Sequence, residues 1–128
     1  MGFFHGHQWP SPVLLKCKTL VMGHVHPVVA FRDPVGFRVT RQVWVKANCN
    51  GLKLATTLSK RGKLKTNAGD GKRRFIEYRG KPKTSQLFIM PSFNDFLGGR
   101  PINDKRPSGE KTHMNSGPLL RSDAVELE

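Results

Sequence analysis

Two histidine pairs, His5-Gly6-His7 and His24-Val25-His26, lie within the first 26 residues of the chain, and each follows an apolar run. A fold that accommodates both has to bring two strand ends to one place. Residues 1–4 read as the end of a strand that delivers His5, and 17–22, Cys-Lys-Thr-Leu-Val-Met, as a buried strand running into His24. Histidines two apart on extended backbone project to the same side, so His24 and His26 are expected to face one cavity. That cavity would sit at the carboxyl ends of strands, where open α/β sheets place ligands. Gly23 lets backbone approach closely there, and neutral imidazole is the commonest metal ligand.

Further along, Ser11 reads as the N-cap of a short helix with Pro12 at its first position. Residues 28–32 and 37–46 are rich in β-branched and aromatic side chains and flank Asp33-Pro34-Val35-Gly36, the pattern of an antiparallel hairpin. Residues 52–59 fit a helix or a strand. Strands are expected over 74–78 and 86–90, and a flexible loop rich in Pro, Gly, Asn and Ser over 102–117. At 128 residues the chain amounts to one domain of mixed α/β (α+β) class, strand-rich, with no internal repeat. Cys17 and Cys49 have no CxxC or zinc-type spacing and no signal sequence precedes them, so both read as reduced thiols of a cytoplasmic protein. No run reaches the length of a membrane span.

The net charge of +13 points toward an anionic partner. Ten Lys or Arg residues fall between positions 60 and 83 against Asp70 and Glu77, with glycines interspersed. This segment suits an exposed basic ribbon touching phosphates through Lys63, Lys65, Lys72, Arg73 and Arg74, although a solvated surface loop has the same composition. Phe75, Tyr78 and Phe88 offer stacking faces, but on strands such rings are more often core.

Taken in order, Phe4-His5-Gly6-His7-Gln8-Trp9-Pro10, Met22-Gly23-His24-Val25-His26-Pro27, and Met90-Pro91-Ser92-Phe93-Asn94 through Gly98-Gly99-Arg100-Pro101 resemble the SbcD-related archaeal branch of the calcineurin-like metallophosphoesterases. The resemblance implies a β-sandwich flanked by helices, and a site holding divalent metals, manganese first and zinc or iron as alternatives. It implies His5, His24 and His26 as ligands, His7 as a residue that orients the loop or touches substrate phosphate, and Asn94 in a segment returning close to the site. His113 reads as solvated. Family members also carry DxH, GDxxD and GNH boxes, and none precedes His5. The nine acidic residues begin only at Asp33, so the resemblance covers the C-terminal half of such a domain, with its N-terminal metal-binding half absent.

The resemblance thus implies metal-assisted phosphoester hydrolysis, with a nucleic acid or nucleotide substrate and no side-chain nucleophile. Without a bridging carboxylate the chain alone is expected to be weak or inactive, whether as a truncated form or as half of a split enzyme. Two other readings stand beside it. One is a basic nucleic-acid-binding module with vestigial histidines. The other is a non-catalytic half that completes a partner chain carrying the missing boxes, or that assembles with copies of itself.

Overall fold

A computed structural model describes residues 1–61, 80–94, 96–103, 117–120 and 122–127. Strands β1 (Gly2–Phe4), β2 (Thr19–Met22) and β6 (Gln86–Ile89) lie parallel as neighbours. β5 (Val45–Cys49) runs antiparallel beside β6, and β8 (Val125–Leu127) antiparallel beside β5, giving the order β1-β2-β6-β5-β8. A second sheet has the order β4-β3-β7, from β3 (Pro27–Arg32), β4 (Arg38–Gln42) and β7 (Arg100–Pro101). The molecule is therefore an α+β protein with two sheets and few helices.

The five-stranded sheet owes its place to its apolar residues. Leu20 and Met22 on β2 and Leu87 on β6 are fully buried, and Ile89 nearly so. They pack with Leu54 and Leu58 of helix α1 (Gly51–Lys60), with Leu15 of the 3-10 helix Pro12–Lys16, and with Leu119 of α2 (Gly117–Leu120). Leu54 and Leu58 stand one turn apart, so a single stripe of α1 meets the sheet. Asn50 caps α1 by accepting from the Lys53 backbone N–H at 3.0 Å. Gly51 is required at the first helical position: a Cβ there would stand 2.7 Å from the Thr84 carbonyl oxygen, which accepts the Gly51 N–H.

Several expectations hold in part. The stretch 52–59 is helix. Ser11 occupies the N-cap of the 3-10 helix, but its side chain makes no cap hydrogen bond. The hairpin forms between β3 and β4, closed by Asp33, whose Oδ1 accepts the Val35 and Phe37 N–H groups at 3.0 and 2.7 Å. The second arm does not continue to residue 46, however. The chain leaves the small sheet after Gln42, and Val45 and Lys46 begin β5 in the large one. Both segments favour extended backbone, so β-propensity gives no sign of the change of sheet. Cys17 and Cys49 are both free, and burial raises the Cys49 thiol to about 11, leaving it unreactive. The strand expected over 74–78, the basic residues Lys63, Lys65, Lys72, Arg73 and Arg74, and positions 104–116 of the expected loop lie outside the described residues.

Candidate metal centre

Because β1, β2 and β6 are parallel neighbours, their carboxyl ends emerge along one edge of the sheet. β1 releases His5 and His7 there, and β2 releases His24 and His26. Pairing continues beyond the strands: the Gly23 N–H donates to the His5 carbonyl at 3.2 Å, and the Met90 N–H to the Met22 carbonyl at 2.8 Å. Gly6, at φ +107°, turns the chain away from β1 in a conformation that L side chains rarely adopt, and a Cβ there would collide with the Met22 methyl carbon at 2.5 Å.

Three rings gather at this edge. The His5 and His24 centroids are 5.1 Å apart, those of His5 and His7 5.0 Å, and those of His7 and His24 6.1 Å. His5 Nε2 stands 3.3 Å from His24 Nδ1. Two nitrogens bound tetrahedrally to one zinc at ~2.0–2.1 Å are separated by roughly 3.3–3.4 Å, so the pair already spans one edge of such a polyhedron. In a metal-free cluster the same distance serves an N–H···N hydrogen bond whose direction depends on the tautomers. Among the described residues no three His, Cys, Asp or Glu side chains stand together in a metal-holding arrangement. A third ligand to any ion held there would require a side-chain rotation, and His7 is exposed.

His24 and His26 do not meet on extended backbone, as their spacing suggests. Both have positive φ, 70° and 50°. The Val25 N–H donates to the Gly23 carbonyl at 2.8 Å across His24, which makes a γ-turn of the rare positive-φ type. Such backbone costs ~1–3 kcal/mol at a residue with a side chain and persists only where its surroundings impose it. Here the far side of the turn is clamped. Arg100 N–H donates to the His26 carbonyl at 2.9 Å, and Gly99 sits so close that a Cβ would overlap the His26 carbonyl oxygen and Val28 Cγ1.

The electrostatics favour the ligand form of the central ring. The His24 pKa is lowered from the ordinary imidazole value, first by burial and then by the neighbouring His5, His7 and His26. A neutral imidazole keeps its lone pair for a metal. His7 supplies the third ring, beside those of His5 and His24. Comparison with protein-family models, curated proteins and solved structures gives no match. Among the described residues the donor set is all imidazole. Of the three described acidic residues, Asp33 closes the β3–β4 turn, Asp123 lies in the turn before β8 and Glu126 on β8. Imidazole nitrogens fit one borderline ion such as zinc better than a pair of manganese ions, which needs carboxylates.

Asn94 stands in the loop that leaves β6. Its Oδ1 accepts the Phe96 N–H at 2.9 Å and its carbonyl accepts from Gln42 Nε2 at 3.1 Å, so in this structure the residue builds a turn. The third histidine of the cluster, His7, gives a sequence signal as strong as His5, but nothing in the residue order says which of the four rings touch. Among the described residues no helix is long and apolar enough to cross a membrane.

Proposed function

We propose that the chain is a metal-dependent phosphoesterase of the calcineurin-like kind, carrying the imidazole-rich side of the site and acting on nucleic acid or nucleotides. The observation that carries this reading is the 3.3 Å His5–His24 nitrogen pair, held at the carboxyl ends of two parallel strands by a strained turn. His5 and His24 would hold the ion, and His7 or His26 would complete its coordination. When bound, a divalent ion lowers the pKa of a coordinated water and polarises a phosphoryl oxygen. The protein's part is to keep His24 neutral, to fix its Nδ1 against His5, and to gather the phosphate through its excess positive charge. A second ion and its bridging carboxylate lie outside what the described residues supply, so the isolated chain is expected to turn over slowly or not at all.

Zinc and manganese titration by calorimetry tests the centre, with an expected affinity on the order of micromolar that disappears in His24→Ala/His26→Ala. Unchanged binding in that variant removes the proposed site. Hydrolysis of a nitrophenyl phosphodiester tests the chemistry. The expected result is negligible release by this chain, and manganese-dependent release once a polypeptide bearing the DxH, GDxxD and GNH boxes is added in trans. Robust, chelator-sensitive turnover by the chain alone contradicts the half-site reading. The net charge of +13 favours a second reading, a nucleic-acid-binding module without hydrolysis, whose signature is steeply salt-dependent binding that survives chelation.

A further inference from the structure

The third strand of the parallel set also delivers something to the histidine edge. β6 ends at Ile89, and the chain from Pro91 to Leu97 leaves its carboxyl end next to the turn that β2 feeds. The described residues of this loop are linked by hydrogen bonds. Ser92 Oγ accepts the Asn94 N–H at 3.1 Å, Asn94 Oδ1 accepts the Phe96 N–H at 2.9 Å, and the Asn94 carbonyl accepts the Leu97 N–H at 3.1 Å as well as Gln42 Nε2. Its far end returns to the histidine turn itself, through Gly99 and the Arg100 N–H on the His26 carbonyl. In this loop Phe93 is 90% exposed and Phe96 99% exposed.

Burying a phenylalanine side chain is favourable, and this loop forgoes that twice. Rings presented in this way need a partner with an apolar face. The chain carries +13, so a second copy would bring like charge against like. A single-stranded nucleic acid meets both demands, with negative phosphates for the charge and base faces for the rings. We propose that Phe93 and Phe96 form a stacking platform for nucleobases, selecting single-stranded nucleic acid whose phosphodiester lies at the histidine cluster. The placement of the phosphodiester rests on the phosphoesterase reading above, whereas the stacking itself does not require a metal.

The test is fluorescence anisotropy of a labelled oligothymidylate of about 16 nucleotides with the full chain, in chelator, over a range of salt. Phe93→Ala/Phe96→Ala is expected to weaken binding at least about tenfold while leaving the slope against log salt unchanged, because stacking is lost and phosphate contacts are not. Phe93→Trp/Phe96→Trp should retain the affinity, and an abasic strand of equal length should bind the wild-type chain as weakly as the oligothymidylate binds the alanine variant. Thermal unfolding establishes that each variant is folded. Equal affinity of the wild-type chain and the alanine variant for the oligothymidylate overturns the proposal. So does equal affinity of the wild-type chain for normal and abasic strands. A dimer that the alanine substitutions dissociate, with oligonucleotide affinity unaltered, assigns the rings to self-association and overturns it as well. Because chelator is present throughout, failure here is separate from failure to bind zinc.

Discussion

The two sheets handle their apolar residues in opposite ways. In the five-stranded sheet Leu20 and Leu87 are fully buried, covered by α1, the 3-10 helix and α2. In the three-stranded sheet the cross-strand pair Phe31 and Val39 remains 54% and 40% exposed, and Phe37 at the hairpin end is 70% exposed. The large sheet is thus a core completed by the chain's own helices, whereas the small one keeps an apolar face toward solvent. The histidine turn, residues 23–26, joins β2 of the first sheet to β3 of the second. Its strained backbone is anchored on the well-packed side by the His5 carbonyl, and on the other by two residues of the small sheet's surroundings, Gly99 and Arg100. A site at such a junction can hold costly conformations because the large core is rigid enough to bear them.

The sharpest way to break this comparison is to remove one apolar side chain from each sheet, buried Leu87 from the large one and exposed Phe31 from the small one. Leu87→Ala is expected to destabilise the fold by about 2–5 kcal/mol, and Phe31→Ala by about 1 kcal/mol or less, read as shifts of the urea midpoint. Equal losses would show that the small sheet is as much a part of the core as the large one. Gly99→Ala comes next. Its Cβ meets the His26 carbonyl and Val28, so a loss of about 1–3 kcal/mol is expected together with weaker zinc binding, although the residue carries no ligand atom. A destabilised variant with unaltered zinc affinity would uncouple the small sheet from the site.

A smaller effect, opposite in sign, belongs to the turn itself. His24→Gly relieves a positive φ and is expected to gain about 1 kcal/mol in stability while abolishing metal binding. A loss of stability would mean that the His24 ring contributes more by packing than its backbone costs. The smallest effect is that of pH. The folded-state pKa of His24 lies below its unfolded value, so the unfolded chain binds the proton first as pH falls. The His24 contribution is fully present above the unfolded value of about 6.5 and is lost as pH drops from there through the folded pKa. The stability of the wild-type chain should therefore fall more steeply than that of His24→Gln over this window; parallel curves would contradict the assigned shift.

Local patterning is enough to find β1, β2, β6 and the β3–β4 hairpin, because each is an apolar or alternating run bounded by turn residues. It leaves α1 open between helix and strand, since 52–59 alternates small, polar and leucine residues that satisfy either period. Leu54 and Leu58 become a helical stripe only against the sheet they cover. β7 and β8 have no signal of their own. Two residues of β7 are strand because Pro27 and Val28 lie alongside them, and β8 because β5 does.

The sequence by itself determined that histidines stand at the ends of strands and that the chain is strongly basic, because strand patterns and charge are properties of neighbouring residues. Tertiary structure decided which rings meet. The parallel pairing of β1 with β2 brings His5 and His7 to His24, and hydrogen bonds to residues far away in the chain impose left-handed torsions on His24 and His26. The same structure decided that Phe93 and Phe96 stand in water in the loop after β6, although phenylalanine is among the residues most often buried. Torsion and exposure at these positions are set by partners that only the fold supplies.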